Sequence, residues 1–496
     1  MSVDGLDADT IFNAPCLGYG LEDLLALPSP SAHQAQEVDL TVPFTKTVTL
    51  MSPFVSAPMD TVTEAHMAIA CALMGGIGVI HANCDPEQQA KEVDMVKRYE
   101  NGFIMDPHVL GPNDRVEDVD RIRATHDVST VMITDGGVMG NRFLGIVTSR
   151  DIDFVENRKT KLSDVMTPKA KVLFGTEPIS LGESQQKLIA SKKGKLPILN
   201  EGGELVAVVS RGDLKKSKNF PLASKDANRQ LLVAAAVVPK PSEMERVRLL
   251  VEAGVDVIVL DAQSGGTSAQ VDFLKKVKHA YPGLDVICGN VVTPRQAKVL
   301  IDAGADALRV GMGCSSLNSA HEVGVIGRPQ GSAVYHVARY AASFGVPVIA
   351  DGGINGSSAA SMALTLGAST VMCGSLMAGT TESPGDAFFH DCMRLKLYRG
   401  NGSLEVMPAQ IEKAKYSQGG ENAEIKRVPG GTACAVVDRG PVKALLASLL
   451  EGVKRDFRRL GVSNVRELHE DLYGSKTRFH VRSAGAYGAA HHGSLA

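Results

Sequence analysis

The sequence predicts an α/β protein in which one parallel barrel is interrupted by a module of different texture. Three observations predict it. Short apolar runs rich in β-branched residues recur and end in glycine with a polar group, as where 346–350 leads into Asp351-Gly352-Gly353 and 370–373 into Gly374-Ser375. Helix-patterned segments separate these runs, and uninterrupted apolar strands alternating with helices are strands buried on both faces of a parallel sheet. From about residue 105 to 219 that rhythm stops and a repeated pattern replaces it.

In chain order, 10–27 is a lead-in. A strand at 54–56 then runs into the polar turn Pro58-Met-Asp-Thr-Val-Thr-Glu64 and an Ala/Met-rich helix over 65–73, which is one βα unit; 76–81 is the next strand. In the interrupting segment, Gly145-Ile-Val-Thr-Ser-Arg-Asp-Ile152 returns as Ala207-Val-Val-Ser-Arg-Gly-Asp-Leu214, so Thr148 matches Ser210 and Asp151 matches Asp213. Each half opens on a proline, at Asp106-Pro107 and Thr167-Pro168. A hydroxyl three places before a carboxylate caps a helix. The same pair suits a nucleotide, since a hydroxyl donates to phosphate and a carboxylate accepts from ribose hydroxyls. Repetition in one frame favours a module over two chance caps.

The barrel pattern resumes at 231–238, 255–261 and 285–290, with helices over 242–253 and 294–303. The expected domains are 1–104, the first part of the barrel; 105–220, the module; and 221–496, the rest of the barrel with a long polar flap at about 403–439. The last element in the pattern is an amphipathic helix over 442–460, followed by a Gly/Ala/His tail. The stretch that organises the whole is Leu308-Arg-Val-Gly-Met-Gly-Cys-Ser-Ser-Leu-Asn-Ser-Ala-His-Glu-Val323, closing on Gly327-Arg-Pro-Gln330. Its glycines admit a ligand close to the backbone, Ser315 and Ser316 can donate to phosphate, and loops at strand C-termini carry the chemistry of such barrels.

At 496 residues the chain exceeds one ordinary domain, and 44% hydrophobic residues support a sizeable core. A net charge of -3 gives no electrostatic footprint for nucleic acid or a membrane surface. The longest apolar run, 67–80, is broken by glycines and is shorter than the roughly 18–20 residues that span a bilayer. Eight cysteines without CxxC pairs argue against a disulfide framework or a zinc site and for a reducing, cytoplasmic setting. The acidic start lacks the basic character of a targeting peptide. Ser494-Leu-Ala496 is loosely similar to a peroxisomal address.

On Asp351-Gly352-Gly353, Gly374-Ser375, Tyr398-Arg-Gly-Asn-Gly402 and the 311–323 loop, in order and spacing over nearly the whole chain, the sequence resembles the IMP dehydrogenase / GMP reductase family. The resemblance implies a (β/α)8 TIM barrel with an inserted tandem pair of cystathionine-β-synthase-type (CBS, Bateman) modules. In those, Thr148, Asp151, Ser210 and Asp213 would contact adenine or guanine nucleotides. It implies oxidation of IMP to XMP with NAD or, in the reductase branch, NADPH-dependent conversion of GMP to IMP, in homotetramers or octamers. It assigns the substrate (IMP, XMP or GMP) to Ser316, Asp351, Gly352, Gly353, Gly374, Ser375, Tyr398, Gly400 and Gly402, with the Met59 region near the purine. It assigns the cofactor to Asp261, Gly311, Met312 and Gly313, and potassium to Gly313 and Ser315.

The sequence departs from the family at the reacting atoms. Family members attack C2 of the purine with a cysteine thiolate; an ungapped match of the loop puts Asn318 at that cysteine and Ala320 at the next threonine, while Cys314 replaces a serine. A carboxamide is not a nucleophile. Cys314 sits four residues early, and a displacement of about 1 Å already costs about a hundredfold. The flap Arg-Tyr pair corresponds to Lys415-Tyr416, and the base-reading Gln or Glu to Gly430. The Asp-Ser-Ser of the cofactor segment is Asp261-Ala-Gln263, and the Glu-Gly-Gly that helps hold potassium is Tyr487-Gly-Ala489. The expectation is therefore a retained phosphate and ribose cradle with impaired turnover, in a dehydrogenase, a reductase or a nucleotide-binding paralogue of either.

Overall fold

The computed structural model describes residues 5–13, 17–29, 37–99, 103–104, 107–126, 130–179, 181–211, 220–262, 264–314, 326–400 and 433–483. Eight apolar runs form strands β1 (Phe54–Ser56), β2 (Ile77–Ile80), β3 (Val233–Val237), β4 (Val257–Asp261), β5 (Asp285–Val291), β6 (Ala307–Val310), β7 (Val348–Asp351) and β8 (Thr370–Cys373). They pair in parallel in chain order, and β8 closes on β1 to complete a (β/α)8 barrel. Strands such as β2, β3, β6 and β8 are buried along their whole length, because helices cover the outside and side chains fill the inside. That is why they read as continuous apolar runs.

Local chemistry sets the helix starts. Thr267 and Thr293 cap the helices Ser268–Ala280 and Pro294–Asp302, each side chain accepting from the backbone N–H three residues on. At the N-terminal end of the barrel lies the hairpin Val42–Pro43/Thr49–Leu50. The hydroxyls of Thr45 and Thr47 both donate to Asp285 at the start of β5, and Lys46 Nζ donates to the Ala305 carbonyl at 3.0 Å. The other end is left for a site.

The helix expected over 442–460 is present as Val442–Leu460, stopped by Gly461 in the left-handed region (φ +75°). It packs on the helices Ser357–Thr365 and Ala65–Leu73, with Ser361 Oγ donating to Asp456 at 2.9 Å. It is not the last element: a helix Val465–Tyr473 and a strand Phe479–Val481 follow, the strand pairing antiparallel with Leu24–Ala26 in the lead-in. Three-residue strands are too short for periodicity to reveal. The polar region expected at 403–439 also ends in order, since Ala433–Val437 pairs with Met393–Arg399; 401–432 lies outside the described residues.

The chain divides into two units, Met1–Lys97 with Leu222–Ser224 and Leu232–Ala496, and Arg98–Pro221 with Lys225–Leu231. The second unit shows the repeat as structure. One four-stranded sheet runs Thr167–Pro168, Phe143–Thr148, Thr130–Thr134, Val109–Leu110; the other runs Phe103–Ile104, Leu205–Ser210, Lys195–Leu199, Gly175–Thr176. In each, one parallel pair is followed by two antiparallel pairs. The outer strand of each sheet comes from the segment before the other half, so the two halves exchange a strand. Thr148 and Ser210 thereby end equivalent strands. Among the described residues, no helix is long and apolar enough to cross a membrane.

Candidate functional site

Four polar side chains meet where β4, β5, β6 and β7 end. Arg309 lies inside β6 and is 8% exposed. Its Nη1 donates to Asp261 Oδ1 at 2.6 Å and its Nε to Asp351 Oδ2 at 2.8 Å. Asn290 Nδ2 donates to the same Asp351 oxygen at 2.9 Å and to the Gly311 carbonyl at 2.7 Å. Burial works against the charge on Arg309, but the fields of Asp351 and Asp261 outweigh it and push the pKa up, so the guanidinium stays charged. A lone arginine on a strand covered on both faces requires counter-charges, and the strands that end in aspartate supply them. Arg309 was visible in the sequence as the one charged residue in the apolar run 307–310; that was the signal for a site residue that pattern reading passes over.

The organising loop is held from below. Gly311 has φ +146°, and a Cβ there would collide with the Asp351 carbonyl oxygen. Gln330 Nε2 donates to the carbonyls of Val310 and Asp351, both at 3.0 Å, and Cys314 Sγ lies 3.2 Å from Gln330 Oε1 and 3.4 Å from the Asp351 carbonyl oxygen, the two acceptors within reach of its single S–H. Burial, with the Asp351 charge beside it, pushes the Cys314 thiol up to about 12. This cysteine is a shielded thiol with its S–H held between two acceptors, the opposite of an activated nucleophile. Met312 is half-buried and Gly313 buried; Ser315, Ser316 and Asn318 lie outside the described residues.

A second group converges at the end of β8. A Cβ on Gly374 would lie 2.5 Å from the Tyr398 hydroxyl and 3.5 Å from Met59 Sδ, so only glycine fits. Tyr398 is buried, as is Gly400, while Gly374, Ser375 and Gly352 are half-buried and Gly353 is exposed. Gly402, Lys415, Tyr416 and Gly430 lie outside the described residues. Beside this group, Asp60 and Arg399 form an ion pair at 2.7 Å that sequence reading did not single out. Among the described residues no group of three or more His, Cys, Asp or Glu is placed to hold a metal ion.

In the repeated unit, Thr148 N–H and Oγ1 both donate to Asp151 Oδ2 at 2.7 Å, and Thr167 Oγ1 lies 3.3 Å from Asp151 Oδ1. The pair thus caps the short helix Ser149–Ile152. Ser210 is buried, and Asp213 lies outside the described residues.

A closed parallel barrel with its charged and glycine-rich positions gathered at the strand C-termini is the architecture of a (β/α)8-barrel protein. The IMP dehydrogenase / GMP reductase domain description matches residues 18–492, and the chain belongs to that family. It is 46% identical to inosine-5'-monophosphate dehydrogenase of Toxoplasma gondii over 97% of this chain and 96% of the relative. It is 43% identical to the enzyme of the same name from Trypanosoma brucei brucei, over 99% and 96%. A similar solved structure is a cysteine-to-alanine variant of Trypanosoma brucei GMP reductase in complex with guanosine 5'-monophosphate (TM-score 0.85, 30% identity, 97% of this chain and 99% of that one). Nicotinamide cofactors serve this family generally.

Proposed function

We propose that this chain is an IMP dehydrogenase-type barrel that binds IMP at its strand ends and turns it over far more slowly than relatives with cysteine at the position of Asn318. Asp351 carries the binding half. Both of its side-chain donors, Arg309 and Asn290, take Oδ2, and among the described residues nothing donates to Oδ1. As a carboxylate oxygen it suits acceptance from ribose hydroxyls. The backbone N–H groups of Gly352, Gly353, Gly374 and Ser375, with the Ser316 hydroxyl, serve the phosphate. Tyr398, Gly400 and Gly402 belong to the same phosphate set, and the Met59 region serves the purine.

The cofactor side consists of Asp261, Gly311, Met312 and Gly313, and Gly313 and Ser315 are the residues that would hold potassium. NAD, when bound, supplies the hydride acceptor. Asn318 stands where a thiolate would add to C2, and a carboxamide forms no such bond. The Cys314 thiol, pushed up to about 12, does not replace it. Lys415 and Tyr416 take the flap positions, where lysine keeps the charge of the family arginine without its planar fork. We read the repeated unit as a tandem CBS module taking adenine or guanine nucleotides at Thr148/Asp151 and Ser210/Asp213, a ribose displacing Thr148 Oγ1 from Asp151. The assembly is a homotetramer or octamer of soluble, cytoplasmic chains.

The reductase alternative, which turns GMP to IMP with NADPH, is favoured by one observation. A 30% identical structure is a GMP reductase holding GMP although one of its cysteines is alanine. A calorimetric titration with IMP and GMP, run beside turnover assays of IMP with NAD and GMP with NADPH, tests the reading. Expected are saturable IMP binding and little or no turnover. Absence of binding by either nucleotide would overturn the proposal.

A further inference from the structure

Met59-Asp60 and Tyr398-Arg399 are two pairs of consecutive residues that meet twice. Met59 Sδ and the Tyr398 hydroxyl converge on Gly374. Next to them Arg399 Nε lies 3.1 and 3.0 Å from the two Asp60 oxygens, and Nη2 donates to Oδ2 at 2.7 Å. Asn83 Nδ2, in the turn after β2, donates to the same oxygen at 2.6 Å, and Thr61 Oγ1 accepts from the Arg399 backbone N–H at 3.3 Å. The Asp60 side chain is 8% exposed. Three segments therefore end on one shielded carboxylate: the loop after β1, the turn after β2, and the strand that leads into 401–432.

A forked guanidinium on a carboxylate fixes direction as well as distance. Because each clamp residue is the chain neighbour of a cradle residue, holding Asp60 to Arg399 sets the spacing of Met59 and Tyr398. We infer that Asp60 is a positioning residue for the nucleotide site. It joins the β1 and β2 loops to the root of the 401–432 segment and thereby sets the width of the cradle at Gly374. The inference rests on the reading of Gly374 and Tyr398 as nucleotide-binding.

The test titrates IMP and GMP into the full chain and its variants Asp60→Asn, Asp60→Glu, Arg399→Lys and Lys97→Met, with thermal unfolding of each. Lys97 pairs with Asp256 at 2.9 Å with both side chains largely shielded, just before β4 at the opposite end of the barrel, so Lys97→Met breaks a comparable clamp away from the cradle. Expected is at least a tenfold loss of nucleotide affinity in Asp60→Asn, a smaller loss in Asp60→Glu and Arg399→Lys, and unchanged affinity in Lys97→Met despite a lower Tm. Unchanged affinity in Asp60→Asn, or an equal loss in Lys97→Met, overturns the inference while leaving the site reading intact. If the natural protein binds neither nucleotide, the site reading fails and the inference with it. Should Asp60→Asn not fold, Arg399→Lys carries the comparison.

Discussion

Arg309 is bonded to two aspartates at once, Nη1 to Asp261 at 2.6 Å and Nε to Asp351 at 2.8 Å. One guanidinium thus couples the carboxylate proposed for the cofactor to the one proposed for the ribose. Replacing it with methionine removes the positive charge that both carboxylates face. Arg309→Met is expected to lose roughly 3–5 kcal/mol in denaturant unfolding and to abolish IMP binding in calorimetry. Wild-type affinity in this variant would show that the pair has no part in the site.

The retained cradle and the substituted nucleophile predict a gain of function. Asn318→Cys is expected to raise turnover of IMP with NAD at least roughly a hundredfold, set against about 10⁶ for nucleophile loss in a hydrolase. Cys314→Ser is expected to change nothing. Turnover by the natural protein that disappears in Cys314→Ser would move the nucleophile to position 314.

Thiol reactivity gives a check that needs no substrate. With its pKa pushed up to about 12, the Cys314 thiol stays almost wholly protonated at pH 8. Iodoacetamide followed by peptide mapping is expected to leave Cys314 unlabelled in the folded protein while exposed Cys392 is alkylated. Labelling of Cys314 as fast as Cys392 would contradict the buried, hydrogen-bonded thiol.

His469 gives the pH dependence its sign. Burial pushes its pKa down, opposed in part by hydrogen bonds between Nε2 and the carbonyls of Leu364 (3.0 Å) and Ala368 (3.2 Å). The unfolded chain takes up this proton near pH 6.5, while the folded chain takes it up only at lower pH. The stabilisation is therefore present above about pH 6.5 and lost as pH falls from there through the folded pKa. Thermal unfolding between pH 7.5 and 5.5 is expected to fall more steeply for the natural protein than for His469→Gln; parallel slopes would remove His469 from the account.

Much of the fold was legible because its signals are local. The helix Val442–Leu460 is marked by its amphipathic pattern and Ala65–Leu73 by its Ala/Met-rich composition after a polar turn, and the repeated residues 145–148 and 207–210 end equivalent strands in two sheets. The strand Phe479–Val481 was missed because three residues carry no period, and its partner lies in the lead-in. Thr148 and Asp151 suit both a helix cap and a nucleotide by residue type, and in the structure they are bonded to each other as a cap.

The sequence by itself determined the barrel, the order of its strands, the interruption by a repeat and the absence of cysteine at position 318, all properties of residue type and short-range spacing. Only the tertiary structure decided that Arg309 would bridge residues 48 and 42 positions away and that Asp60 would meet Arg399 across 339 positions. The physical reason is that such meetings depend on strand register and on closure of the barrel. These bring distant strand ends together without leaving a trace in the local pattern of either one.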